Sequence, residues 1–223
     1  MKPLTEQHLA ILRRHMVEIV EMNFDLLADE IGKDALDPEL RRALMDVPRH
    51  LFVPHNLAAI AYQDSPLPIG FEKTISQPFI GALMIELLAL EPGQRVLEVG
   101  TGLGYQAAVM AEMGCEVFSV EVVEEFAEAA EARFAALGYG VKVRVGDGSR
   151  GWEEHAPYDA VLVTAAAPQP PHELVEQLRL GGRMVVPLGA ADLQKLSVVE
   201  KRSGEQIAVR EVIPARFTQL EQG

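Results

Sequence analysis

From residue 79 onward, short apolar runs and helical stretches alternate almost without interruption, and this alternation constrains the fold more than any other feature. Residues 95–99, 116–120, 141–145 and 159–164 read as strands, the early ones as apolar runs of the kind buried on both faces. Helical stretches fall between them at 80–90, 105–113, 123–137 and 171–180. Pro92-Gly93, Gly138 and Gly181-Gly182 supply the stops, and Pro171 suits a first helical turn. Strands that alternate with helices pair in parallel and need helices over both faces, so the expected class is α/β with a mostly parallel sheet. Three more strands, at 183–188, 195–201 and 207–213, close the chain. The last two form an antiparallel hairpin around 202–206 at the sheet edge.

The first third of the chain is organised differently. Residues 5–31 repeat apolar positions at helical period (Leu9, Leu12, Met16, Ile19, Val20, Phe24, Leu27), and Asp37 before Pro38 starts a short helix to about residue 45. Residues 46–79 then carry Pro48, Pro54, Pro66, Pro68 and Pro78, too many for one regular element. Loops this long inside a compact domain are usually functional or disordered, and Phe52, Ile60, Tyr62 and Ile69 argue against disorder here. The expected division is a helical extension over 1–45 and a domain over 46–223, with 46–79 as its substrate and active-site loop region. That extension is also the place expected to support an oligomer.

Composition removes several function classes. A net charge of −13 argues against gripping a nucleic-acid backbone. No apolar stretch approaches the ~18 residues of a membrane span. The start, MKPLTEQHLA, has no apolar core of an export signal, and a single cysteine, Cys115, fits a reducing, cytoplasmic setting without disulfides or a cysteine-based metal cluster. The six histidines show no metal spacing.

Chemistry concentrates where the first strand turns into a helix, at Glu98-Val99-Gly100-Thr101-Gly102-Leu103-Gly104-Tyr105. Glycines there admit a ligand close to the backbone and free amides at a helix N-terminus. Gly102 to Ala107 also matches the dinucleotide pattern G-x-G-x-x-A, a weak signal alone. Glu98 favours another ligand, because a carboxylate beside the glycines repels a pyrophosphate and suits the cationic head of S-adenosylmethionine. Glu121, about twenty residues on, ends the second strand where an acid accepts bonds from two ribose hydroxyls, a feature of both cofactors. Gly146-Asp147-Gly148 ends the third strand, where an aspartate meets an adenine amine and glycine leaves room for the ring. Each has a plainer reading: a tight turn without ligand, a surface glutamate, a strand-ending turn.

With these residues on view, the chain resembles the protein-L-isoaspartate (D-aspartate) O-methyltransferases over roughly residues 38–220. The resemblance rests on Val47-Pro48-Arg49-His50-Leu51-Phe52-Val53-Pro54, on residues 61–70, on Thr74-Ile75-Ser76-Gln77-Pro78, on residues 163–168, and on 181–189. It implies a Rossmann-like class I methyltransferase fold. It also implies methyl transfer from S-adenosylmethionine, leaving S-adenosylhomocysteine, to the free carboxylate of L-isoaspartyl or D-aspartyl residues in damaged proteins and peptides. The ester then cyclises unaided to a succinimide. In this reading Ser76 orients the carboxylate and is no nucleophile, while Thr74 and Ile75 frame cofactor and substrate. Gly100, Thr101, Gly102, Gly104, Glu98, Glu121, Asp147 and Gly148 belong to the cofactor site, and no metal is needed. The plainer reading of Ser76 is a cap for the helix at Pro78; that of Thr74 and Ile75 is loop packing. Arg49 and Asp64 are expected to hold the loop as an ion pair. A methyltransferase of another carboxylate, or a non-catalytic relative, keeps the same cofactor residues and stays open at this point.

Overall fold

The computed structural model describes residues 5–190, 193–203 and 206–221. The stretch read as one helix over 5–31 is two: α1 (Glu6–Leu26) and a single turn, α2 (Ala28–Ile31), which Gly32 ends in the left-handed region. Helix α1 buries Met16, Val17, Val20 and Phe24 on one face. Phe24 meets Phe79 edge-on with ring centroids 5.7 Å apart, so the extension shares the core of the sheet domain. Helix α3 (Pro38–Asp46) starts where expected, with the Asp37 carboxylate accepting from the Glu39 amide.

Residues 46–79 hold more regular structure than their prolines predict. Two 3-10 turns, Arg49–Phe52 and His55–Ile60, lead into an antiparallel hairpin of β1 (Leu67–Gly70) and β2 (Lys73–Ile75). Pro68 is tolerated because both strands of a two-stranded ribbon are edges. The reversal puts Phe71 and Glu72 at φ 48° and 57°, as a two-residue primed turn requires. Phe71 leans edge-on against Phe126, with centroids 5.3 Å apart.

Helix α4 (Pro78–Leu88) is almost wholly buried and leads to β3 (Arg95–Val99). There follow α5 (Tyr105–Glu112), β4 (Glu116–Glu121), α6 (Glu124–Leu137), β5 (Lys142–Val145), β6 (Tyr158–Val163) and α7 (His172–Glu176). Strands β7 (Leu178–Ala190), β8 (Leu193–Ser203) and β9 (Gln206–Ala215) complete the sheet. Its order is β5-β4-β3-β6-β7-β8-β9, parallel from β5 to β7 and antiparallel beyond. The antiparallel part is thus a β7-β8-β9 meander, wider than the expected hairpin, and residues 204 and 205 of its expected turn lie outside the described residues.

In the sheet domain one helix also departs from expectation. Residues 171–180 were expected to be helical up to Gly181-Gly182, but α7 ends at Glu176 and β7 already pairs Leu178 with Tyr158. The pairing then slips to Arg183 opposite Ala160, so residues 179–182 bulge, and Gly181 sits at φ 74°. The glycines serve a bulge and do not close a helix. On β3, Val96 faces the core shared with α1, α4 and α5, whereas Leu97 and Val99 face Phe118 and Leu174 on the other side. After β3 the chain winds out to β5 and returns to β6 on the opposite side. That leaves a crevice at the strand ends, where open α/β sheets bind ligands.

Candidate active site

A cavity of about 780 Å³ occupies this crevice. Its floor is the glycine loop, Glu121, Gly148 and Thr164 at the strand ends; its other walls are Ile69 and Lys73–Gln77, and residues 214–221 after β9.

The floor is shaped by missing side chains. Gly100 has φ 94°, and a Cβ there would lie 2.3 Å from Thr164 Oγ1. That hydroxyl donates to the Gly100 and Val99 carbonyls at 2.9 and 3.1 Å, which leaves it nowhere to move. At Gly148 a Cβ would meet Val99 Cγ1 at 2.4 Å. Gly102, at φ 53°, donates its amide to Glu121 Oε2 at 2.7 Å, and Val123 donates to the other carboxylate oxygen at 3.0 Å. Each oxygen keeps a second lone pair for a hydroxyl in the cavity. An acid on the wall, bare backbone beside it and no clustered cations fit S-adenosylmethionine, whose groups at this place are a ribose diol and an uncharged base. Among the described residues no group of histidine, cysteine and acidic side chains could hold a metal ion.

Three residues of the expected cofactor set stand behind the wall. Gly104 caps α5 at φ 93°, where a Cβ would strike Phe134. Asp147 spends its carboxylate on a 3-10 turn, accepting from the Ser149 amide and hydroxyl at 2.9 and 2.7 Å. Glu98 is fully buried and accepts from Ser119, whose hydroxyl also bonds Thr101 Oγ1 at 2.6 Å. Burial pushes the Glu98 carboxyl up to about 8, with Glu121 adding to the shift and the Ser119 hydroxyl opposing it. At neutral pH it is therefore mostly uncharged. The discrimination argued from a charged Glu98 facing the ligand is not what the geometry shows; the acid on the wall is Glu121. Thr101 lines the cavity but turns its hydroxyl toward Ser119.

Thr74, Ile75 and Ser76 all reach the cavity. Ser76 does not cap α4. The Asp64 carboxylate does, accepting from the Phe79 amide at 2.9 Å, from Gln77 Nε2 at 2.9 Å and from Asn23 of α1 at 3.3 Å. The Ser76 hydroxyl has no hydrogen-bond partner among the described residues. Nor do Arg49 and Asp64 form the expected ion pair. Arg49 donates instead to the Ala61 and Ser76 carbonyls at 2.8 and 2.7 Å.

Sequence reasoning missed Thr164, Tyr105 and the tail as parts of the wall. The tail is held by backbone bonds, the Ala166 amide to the Thr218 carbonyl and the Leu220 amide to the Ala166 carbonyl, both 2.8 Å. Lys73 of β2 pairs with Glu221 at 2.5 Å. Nothing local in the tail announces this; its role depends on where β9 ends.

The model of the Protein-L-isoaspartate(D-aspartate) O-methyltransferase family (PCMT) matches residues 22–223. The chain is 45% identical over 219 residues to "Protein-L-isoaspartate O-methyltransferase 1" of Polaromonas sp. (strain JS666), covering 98% of this chain and 93% of the relative. It is 46% identical over 213 residues to "Protein-L-isoaspartate O-methyltransferase 2" of Syntrophobacter fumaroxidans, covering 95% and 86%. A solved protein-L-isoaspartate O-methyltransferase superposes with TM-score 0.79 at 29% identity, covering 93% of this chain and 65% of its own. A structure from Plasmodium falciparum in complex with S-adenosyl-L-homocysteine shares the fold with TM-score 0.79 at 23% identity, covering 95% of this chain and 99% of its own. With its fold, its cavity and these likenesses agreeing, the chain belongs to the protein-L-isoaspartate (D-aspartate) O-methyltransferase family.

Proposed function

We propose that the cavity seats S-adenosylmethionine on the strand-end floor and the free carboxylate of an L-isoaspartyl or D-aspartyl residue against Ser76. The enzyme is a repair methyltransferase for damaged proteins and peptides. The observation that carries the role of Ser76 is its free hydroxyl on the cavity wall, relieved of capping duty by Asp64.

When bound, S-adenosylmethionine supplies an electrophilic methyl group on a sulfonium. The chain's own residues have modest tasks. Glu121 accepts from the ribose hydroxyls, and bare glycine backbone lets the cofactor lie close. Ser76 donates to one carboxylate oxygen of the substrate and so aims the other. Ile69, Ile75, Ile80 and Val99 line an apolar wall that keeps water from the meeting of opposite charges. No residue has to take a proton, since a carboxylate of ordinary pKa is already ionised at neutral pH.

Ser76→Ala is expected to slow methyl transfer to an isoaspartyl peptide about ten- to hundredfold, the loss of one positioning bond of ~1.5–3 kcal/mol. Affinity for S-adenosylhomocysteine should change by less than about twofold. Rates between about pH 5 and 8 on peptides differing only in aspartyl or isoaspartyl linkage make the test. Full activity of the variant returns Ser76 to loop packing, and equal transfer to both peptides overturns the substrate.

Two further readings complete the proposal. A cytoplasmic setting is supported by the lone Cys115, since one cysteine in the sequence leaves no disulfide framework. Self-association through α1 is supported by the exposure of its Ile11, Met22 and Leu26.

A further inference from the structure

Arg49 is among the most deeply buried large side chains of the protein, 1% exposed, and it sits directly behind Ser76. Its Nη2 donates to the Ser76 carbonyl and its Nε to the Ala61 carbonyl, at 2.7 and 2.8 Å. Its guanidinium lies 4.7 Å from the ring centroid of Tyr105, a cavity-wall residue whose hydroxyl is buried. No carboxylate among the described residues lies within ion-pair distance of it. Asp64, an anion that acts on it from beyond that distance, accepts hydrogen bonds from Phe79, Gln77 and Asn23.

A guanidinium does not shed its proton on burial, so this site carries a buried cation with no carboxylate in direct contact, and Asp64 acts on it only from beyond ion-pair distance. Such an arrangement is costly. Joining two carbonyls does not require it, because a neutral amide would do the same. What the site lacks is an anion in direct contact, and the substrate brings one.

We propose that Arg49 is a positioning residue for the reaction, fixing the Ser76 peptide and setting a positive charge behind the place where the substrate carboxylate docks. The inference rests on the reading that Ser76 meets that carboxylate. Its two halves separate kinetically. Methyl transfer neutralises the carboxylate, so attraction to Arg49 is strongest in the bound substrate and fades toward the neutral ester. The charge therefore acts on KM and on release of the ester, whereas the grip on Ser76 acts on kcat.

The test compares an isoaspartyl peptide with its carboxamide counterpart, titrated calorimetrically into enzyme saturated with S-adenosylhomocysteine. Wild type should prefer the carboxylate. Arg49→Met should lose that preference by about tenfold or more, as expected for a charge interaction in a protein interior. Arg49→Lys should keep most of the preference and a KM within about threefold of wild type, yet lose kcat because the two-carbonyl grip is gone. Unchanged preference in Arg49→Met overturns the charge role. Should that variant not fold, the Arg49→Lys and Ser76→Ala pair decides the positioning role. If Arg49 acts through Ser76, its kcat effect disappears once Ser76 is alanine, and additive effects overturn it. Ser76→Ala with full activity sinks the Ser76 reading instead, and leaves the carboxylate preference of Arg49 to be judged by binding alone.

Discussion

The floor of the cavity, at the ends of β3 to β6, keeps its shape through backbone. Gly100, Gly102 and Gly104 all take positive φ, and at Gly100 and Gly148 a single methyl would collide with Thr164 or Val99. The facing wall, built from residues 46–79, keeps its shape through side chains that reach backbone groups far away in sequence. Arg49 ties Ala61 to Ser76, and Asp64 ties α1 and Gln77 to the start of α4. A backbone-built surface has few tolerated alternatives, since a strand-end loop has no slack. A surface held by individual hydrogen bonds can loosen by one bond at a time. The two walls should therefore answer mutation differently, the first abruptly and the second in steps.

The sharpest way to break that contrast is Gly100→Ala. The added methyl meets Thr164 Oγ1 at 2.3 Å, and the residue must keep a φ of 94° that L side chains rarely adopt. Left-handed strain of ~1–2 kcal/mol and overpacking of ~1–3 kcal/mol together predict a loss of roughly 2–5 kcal/mol. Urea unfolding should show it, and S-adenosylhomocysteine binding should be lost at concentrations that saturate wild type. A variant that binds and unfolds like wild type would mean that the floor yields as easily as the loop wall.

The floor also hides one ionisable group, which gives it a pH dependence. With its carboxyl raised to about 8, native Glu98 holds a proton that the unfolded chain releases near its ordinary value of 4.5. Stability from this group is therefore greatest at low pH, falls as pH rises from about 4.5 to 8, and levels off above. Glu98→Gln accepts from Ser119 without ionising, so its unfolding free energy should fall less over that range. At up to ~1.4 kcal/mol per pH unit across that range, the two curves should diverge by a few kcal/mol in total. Parallel curves for variant and wild type would show that Glu98 ionises normally.

The two walls also differ in how far they could be read from sequence. Gly100, Gly102, Glu121 and Gly148 were legible because strand ends place motif residues by short-range rules: a strand, a turn, a helix start. The placement of Glu98 was not, because the alternation of β3 that points Val96 into the core points Glu98 to the same buried side. In the loop wall the elements themselves were only half legible. Proline counting concealed the β1–β2 hairpin, and charge complementarity suggested an Arg49–Asp64 pair where each residue serves backbone groups instead. The tail over 214–221 was not legible, since its place depends on an antiparallel register between β8 and β9 set far from the site.

Within the loop wall, Asp64→Ala should produce a graded loss. It removes the acceptor for the Phe79 amide at the first turn of α4 and frees Gln77 and Asn23. A helix cap is typically worth about 1 kcal/mol, and the solvent admitted by the shorter side chain can satisfy the amide. Unfolding should shift by about that much, with S-adenosylhomocysteine affinity nearly unchanged because no atom of Asp64 belongs to the floor. Loss of cofactor binding on the scale of Gly100→Ala would show that the two walls act as one rigid unit.

The smallest effect is expected where the loop wall meets the tail, at the Lys73–Glu221 pair. Both residues line the cavity, so the contact joins β2 to the end of the chain. Its partners are unequally exposed, 22% for the Lys73 side chain and 55% for Glu221, which leaves the pair largely in high dielectric. Exposed pairs of this kind contribute roughly 0–1 kcal/mol and are screened by salt. Lys73→Met and Glu221→Gln should therefore leave unfolding almost unchanged. What they should change is how fast the tail lets go of the hairpin. Release of S-adenosylhomocysteine, followed by stopped flow, should quicken about two- to threefold in either variant at low salt, as expected for ~0.5 kcal/mol. The double variant should be no faster than either single one, because the same contact is lost once. At about 1 M salt, where charges are screened beyond ~3 Å, wild type and variants should converge. Release rates equal at every salt concentration would leave the tail held by its bonds to Ala166 and to the Gln194 side chain without help from Lys73, and the loop wall would then resemble the floor after all.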